Sequence, residues 1–380
     1  MAKKIGVYIH IPFCIQKCYY CDFCSKIGTP DSIEAYIYAL TREIDMWKER
    51  LNPYTIDSIF IGGGTPSIVP VKLMEKLLKR LNTVLDIPPS CEISIESNPG
   101  TLDAEKLKLY LYYGVNRISI GLQAWQDFAL KQLGRSHCKK EFIINYELAR
   151  KIGFNNINVD LMFGLPDQEL FWWAKTLLEV AKLQPEHISA YGLNIEDSTF
   201  FGQWYNKGIL ALPSEEKERE MYHYAIDYLT ANGYLHYEIS NFSVKGKPSL
   251  HNLNYWENGE YIGMGLAAHS NLDSVRFSNT EILDQYLMCA HKNMLPIAKR
   301  EKTTQQDKIS ETMFLGLRLV EGINRAKFKE RFGFDIFQKY GEKIQKLKEA
   351  KLLKYDNRFI WLTRRGIDIS NQIFIEFLAD

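Results

Sequence analysis

Three cysteines within eight residues, Cys14-Ile-Gln-Lys-Cys18-Tyr-Tyr-Cys21, constrain this chain more than any other stretch. They follow the alternating, β-branched run Gly6-Val-Tyr-Ile-His-Ile11, which reads as a strand, and Pro12 ends it. The thiols therefore fall on the loop at the strand's exit. Three thiolates on one loop can hold three irons of a cubane cluster and leave the fourth iron open to another ligand. Zinc sites more often show two separated C-x2-C pairs or a histidine pair, and neither is present. The other cysteines, at 24, 91, 138 and 289, form no disulfide framework in a chain of 380 residues, which points to a reducing compartment.

Strand-like and helix-like stretches alternate through the first 230 residues. Strands are expected at 6–11, 58–62, 91–97, 117–123, 156–163 and 187–193, with amphipathic helices at 32–50, 71–85, 103–113, 141–152, 169–183 and 214–231. Six such units predict an α/β fold, a parallel sheet with helices outside. Two units are missing for a closed eight-stranded barrel, so the expectation is an open, partial, TIM-like (β/α)6 barrel. Functional groups in such barrels gather where the strands end. Here those ends carry Gly62-Gly-Gly-Thr-Pro66, Glu96-Ser-Asn-Pro-Gly100, Gly121-Leu-Gln123 and Asp160 before Gly164-Leu-Pro166. Turn chemistry alone accounts for the glycines but not for Glu96, Gln123 and Asp160. The triple glycine lacks the Lys-Ser/Thr ending of a phosphate-binding loop; after a strand it lets backbone approach a ligand closely.

The C-x3-C-x2-C motif with Tyr20 before its last cysteine resembles the signature of radical S-adenosylmethionine (SAM) proteins. The resemblance extends over most of the chain. It is strongest to the branch containing oxygen-independent coproporphyrinogen III dehydrogenases and their HemW-type haem chaperone relatives. It implies a [4Fe–4S] cluster on Cys14, Cys18 and Cys21. It also implies SAM contacts from Tyr8, Tyr20, Gly63, Gly64, Thr65, Glu96, Gln123, Arg135 and Asp160, with weaker matches at Gly192 and at residues 265–269 ending in His269. Carboxylates suit a ribose diol or an ammonium, and Arg135 suits a carboxylate.

Two departures favour the chaperones over the dehydrogenases. Phe23 stands where the dehydrogenases carry a fourth cysteine, with Cys24 one residue out of register, and their N-terminal extension before the motif is lacking. His251-Asn-Leu-Asn-Tyr-Trp256 also fits the HemW type. The function implied is binding of the cluster, SAM and haem, with delivery of haem to an acceptor protein. Oxidative decarboxylation of coproporphyrinogen III is the rival, and catalytic activity is left open. A zinc-dependent winged-helix regulator conflicts with the six strand–helix units. His251 is a candidate haem ligand; the alternative is a histidine bonded to loop backbone.

The division expected is a core over 1–235, a connecting segment with the His251 motif over 236–298 and a C-terminal helical, winged-helix-like domain over 299–380, read as a lid or docking surface. Net charge is only +1, yet residues 299–365 hold 18 Lys and Arg against 9 Asp and Glu. The prediction is a cytoplasmic protein without nucleic-acid binding, since no apolar run approaches a membrane span and no signal peptide is recognisable. A peripheral contact with a membrane-associated acceptor and a homodimer are both left open.

Overall fold

The computed structural model describes residues 3–378. Six parallel strands follow one another in space as in sequence: β1 (Lys3–Ile11), β2 (Tyr54–Gly63), β3 (Glu92–Ser97), β4 (Arg117–Gln123), β5 (Ile157–Phe163) and β6 (His187–Gly192). Helices Pro30–Leu51, Val71–Val84, Ala104–Tyr112, Lys139–Ile152 and Leu170–Lys182 make the crossovers. The sheet then continues at both edges. Beyond β6 lies the antiparallel pair β7 (Leu235–Glu238) and β8 (Asn241–Ser243). Beyond β1 come β9 (Tyr261–Met264), parallel to it, and the antiparallel β10 (His269–Leu272), β11 (Val275–Asn279) and β12 (Ile297–Lys302). The result is one open sheet of twelve strands, curved but not closed. The segment expected as a connector thus supplies strands to both edges. It also supplies a helix, Leu250–Trp256, where a loop was expected.

The alternation along each strand sorts its side chains onto two faces. One set of positions, Ile5, Val7, Ile9 and Ile11 on β1 and Ile118, Ile120 and Leu122 on β4, is fully buried against the outer helices. The other set faces inward and is polar: Ser58, Glu92, Ser94, Arg117, Ser119, Asn158, His187 and Ser189, all at most 5% exposed. A period of two puts apolar side chains outside and hydrogen-bonding ones inside. Several of the inner polar groups pair with one another, while Ser94 Oγ and Arg117 Nε are left without a partner. Asn158 donates to Ser119 Oγ (2.7 Å) and Asp160 Oδ1 (2.8 Å), and Ser119 donates to Asp160 Oδ2 (2.7 Å). His187 bridges Asn158 Oδ1 (2.6 Å) and the Tyr237 hydroxyl (2.8 Å).

Residues from 305 onward form a second, separate apolar core around Ile309, Met313, Phe328, Ile344 and Ile360. Helices Gln305–Gly316, Arg325–Phe332 and Ile336–Glu349 precede a hairpin of strands Leu353–Tyr355 and Phe359–Leu362, and two short helices, Arg364–Asp368 and Ser370–Ile375, follow it. This unit docks through backbone bonds Ile239–Arg318 and Val320–Tyr237, both 3.1 Å, and a two-point pairing of Arg364 with Asp227 at 2.8 Å.

Candidate functional site

The cysteine loop is fixed at both ends before any ligand is considered. Thr65 N–H donates to the Phe13 carbonyl (2.7 Å) and Lys26 N–H to the Pro12 carbonyl (2.8 Å). His10 bonds the Cys24 carbonyl through Nε2 (2.8 Å) and the Tyr8 hydroxyl through Nδ1 (2.9 Å). Tyr19 accepts from Phe201 N–H, donates to the Leu133 carbonyl and packs edge-on to Trp204 at 5.1 Å. Gly63 and Gly64 are required by these close approaches. Gly63 has φ 114°, and a Cβ there would lie 2.5 Å from the His10 ring; a Cβ on Gly64 would lie 2.6 Å from the Phe13 carbonyl oxygen. Backbone cannot yield as a side chain can. Gly64→Ala is therefore expected to displace Phe13–Cys14 and lower iron incorporation severalfold with the fold retained; iron content normal by metal analysis would refute this.

The strand ends meet the loop in a cavity of about 440 Å3. Its walls include Cys14, Cys18, Cys21 and Tyr20 from the loop, and Gly63, Gly64, Glu96, Gln123, Arg135, Asp160 and Gly192 from the other strand ends or just beyond them. Thr65 sits just beneath, 2% exposed, its hydroxyl 3.6 Å from Cys14 Sγ. Tyr8 and His269 line instead a larger neighbouring cavity of about 1040 Å3, which shares Cys18, Cys21, Gly63 and Glu96 with the first. Among the described residues, neither cavity is lined by any residue beyond 281.

Charge in the smaller cavity is arranged in opposition. Arg135 reaches Cys18 Sγ and the Tyr20 hydroxyl, both at 3.5 Å, and donates to Asn98 Oδ1 (2.5 Å) and the Gly121 carbonyl (2.9 Å). Its Nε is buried with no partner, an open donor for an anionic group. Across from it, Glu96 accepts from Gly63 N–H (3.0 Å). Burial, then the charge of Asp160, pushes the Glu96 carboxyl up to about 8. Gln123 follows a register shift in β4 and has φ 70°, unusual for a residue with a side chain. Burial raises the Cys14 and Cys21 thiols. Asn98, overlooked in sequence, links the parts: its amide donates to Thr65 Oγ1 (2.8 Å) while its oxygen takes Arg135. Its position in Glu96-Ser-Asn-Pro-Gly100 was the available signal.

His251, the candidate haem ligand, lies away from the cysteine loop. It is 1% exposed, inside the curved sheet, and both ring nitrogens are engaged, Nδ1 with Ser58 Oγ (2.8 Å) and Nε2 with the Tyr255 hydroxyl (2.9 Å). It stacks on Phe60 at 5.4 Å, and its N–H bonds Glu92. Burial and then Arg117 push its imidazole down to about 3. It holds the helix Leu250–Trp256 within the sheet and offers iron no free nitrogen.

Comparison with known proteins bears on the family and the fold. The sequence model of the radical SAM superfamily matches residues 8–178, and that of the HemN C-terminal domain matches 303–369. Proteins named "Heme chaperone HemW" from Lactococcus lactis subsp. lactis (strain IL1403) and Bacillus subtilis (strain 168) are 38% and 37% identical, over 100% and 99% of this chain and 99% of each relative. The solved structure of coproporphyrinogen III oxidase (HemN) from Escherichia coli superposes with a TM-score of 0.85 over 99% of this chain and 90% of that one, at 24% identity.

Proposed function

This chain belongs to the HemW family of radical SAM proteins, and on that premise we propose that it is a haem chaperone that carries a [4Fe–4S] cluster and SAM and passes haem to an acceptor protein. Membership of the superfamily implies the cluster and SAM; the assignment to particular residues is our reading. The observation that carries it is the smaller cavity, where three thiols from one loop face a carboxylate and a guanidinium with an unpaired donor. Those donors fit the groups. Cys14, Cys18 and Cys21 would hold three irons. Glu96, beside Gly63 N–H, would take the ammonium of SAM, and Arg135 its carboxylate. Asp160, held by Ser119 and Asn158, would take the ribose diol, with Tyr20, Gln123 and Gly192 closing the walls and Tyr8 and Thr65 bracing them. When bound, the cluster would supply one electron to the sulfonium. The chain's own part is to fix the two ends of SAM and to exclude water.

The raised Glu96 carboxyl gives this reading a pH signature. Below about 8 it is mostly protonated, so a bound ammonium must displace a proton. SAM affinity is expected to rise roughly tenfold from pH 6.5 to 8 and then level off. Glu96→Gln should flatten the profile. Calorimetry in buffers of different ionisation heat checks it; a flat wild-type profile would remove Glu96 from the ammonium contact.

Phe23, in place of a fourth cysteine, supports the chaperone over the dehydrogenase. The deciding experiment is anaerobic: reconstituted protein with SAM, reductant and coproporphyrinogen III, in parallel with a haem titration. Haem binding without loss of propionate carboxylates is expected, and conversion to protoporphyrinogen would overturn the proposal. No helix among the described residues is long and apolar enough to cross a membrane. On the chaperone reading, we infer a protein that meets any membrane-associated acceptor from the surface.

A further inference from the structure

The larger cavity has a use that the cluster and SAM leave open. At about 1040 Å3 it lies at the top of the range for small-molecule sites. It adjoins the smaller cavity and shares its wall at Cys18, Cys21 and Glu96. Its lining carries two aromatic side chains left largely in water, Phe23 at 59% and Phe200 at 51% exposed. Exposed aromatic rings flanking a cavity of this size suit a broad apolar ring. The exposed Lys26 side chain lies on the same lining, its ammonium in no hydrogen bond or ion pair among the described residues, and suits a propionate, although Asp22 and Glu281 stand there too.

One imidazole in that lining is free. His10, His187 and His251 have both ring nitrogens bonded within the protein; His223 pairs with Asp368, His236 bonds the Ile239 carbonyl and His137 is buried. Of the two left, His291 is not part of the lining, and His269 is exposed within it. His269 begins β10 and follows a turn that is braced throughout. Gly265 N–H donates to Glu43 Oε2 (2.8 Å), Leu266 N–H to the Tyr36 hydroxyl (2.9 Å) and Ala267 N–H to the Thr280 carbonyl (2.9 Å). The Glu43 carboxyl, 1% exposed, also takes the Tyr286 hydroxyl (2.5 Å) and the Asn279 amide (2.7 Å). A rigid support of this kind presents a ligand in one place. Cys24 lines the same cavity, but burial raises its thiol, so thiolate is scarce at neutral pH.

We propose that the larger cavity binds haem and that His269 supplies an axial nitrogen to its iron, a site that rests on the chaperone reading above. A coordinate bond forms from the neutral imidazole to the iron, and no electron or group is transferred. The sequence match of His269 to a SAM contact is thereby reassigned. The test titrates ferric haem into the full reconstituted chain and follows the Soret band and the electron paramagnetic resonance spectrum. His269→Ala should weaken binding roughly tenfold or more and abolish the histidine-ligated spectrum, with added imidazole restoring it. His269→Tyr should keep haem with a phenolate-type spectrum, and His291→Ala should match wild type. Haem bound by His269→Ala with wild-type affinity and spectrum would overturn the ligand assignment alone. A wild-type chain that binds no haem would overturn the chaperone reading and this site with it.

Discussion

Cys14→Ala, Cys18→Ala and Cys21→Ala are each expected to yield folded, nearly colourless protein after anaerobic iron–sulfur reconstitution, where the wild type is brown. Three thiolates are the whole protein contribution to a cubane cluster with an open iron, so losing one leaves two irons without a protein ligand. The loop itself should survive. Its anchors are the backbone bonds from Thr65, Lys26 and Phe201 and the His10 bond to the Cys24 carbonyl, none of which uses a thiol. Cys24→Ala is the control and should stay brown, because its side chain faces the larger cavity and does not line the smaller one. Visible absorption, iron and sulfide content and circular dichroism together decide the matter. A Cys18→Ala protein with full cluster, or a Cys24→Ala protein without one, would break the ligand assignment.

His251→Ala is expected to destabilise the fold by about 3 kcal/mol, a loss of several degrees in Tm, while leaving haem coordination as in the wild type. The substitution removes a ring stacked on Phe60 and strands the Ser58 and Tyr255 hydroxyls in the sheet interior. Unpaired buried hydroxyls and a new cavity both cost free energy. Thermal unfolding and the haem spectrum separate the two roles of His251. An unchanged Tm with loss of the histidine-ligated spectrum would restore His251 as the ligand and displace His269.

Much of the fold was legible because its signals are local. The run Gly6 to Ile11 alternates, so its strand and its faces follow from a period of two. Arg117-Ile-Ser-Ile-Gly-Leu-Gln123 shows the same alternation, and its observed bounds are those expected. The strands of residues 261–302 were missed for the opposite reason. They are short, carry Gly263 and polar residues such as Ser270 and Arg276, and become strands by pairing with β1 and with one another. The helix Leu250–Trp256 was likewise hidden, since its seven residues show too little periodicity to register.

The sequence alone determined the cysteine spacing, the six strand–helix units and the polar residues at the strand ends. Each depends on neighbours a few positions away, where backbone geometry fixes what a side chain can reach. Only the tertiary structure decided which polar groups keep a free atom. His251, between Leu250 and Asn252, and His269, between Ala268 and Ser270, are both single histidines, and nothing local separates them. Ser58 and Tyr255 close over one and water reaches the other, because burial depends on chain segments far apart in sequence. The same holds for the C-terminal unit: its helices and hairpin were readable, but its place against Asp227 and Tyr237, away from the cavities, came from long-range pairing.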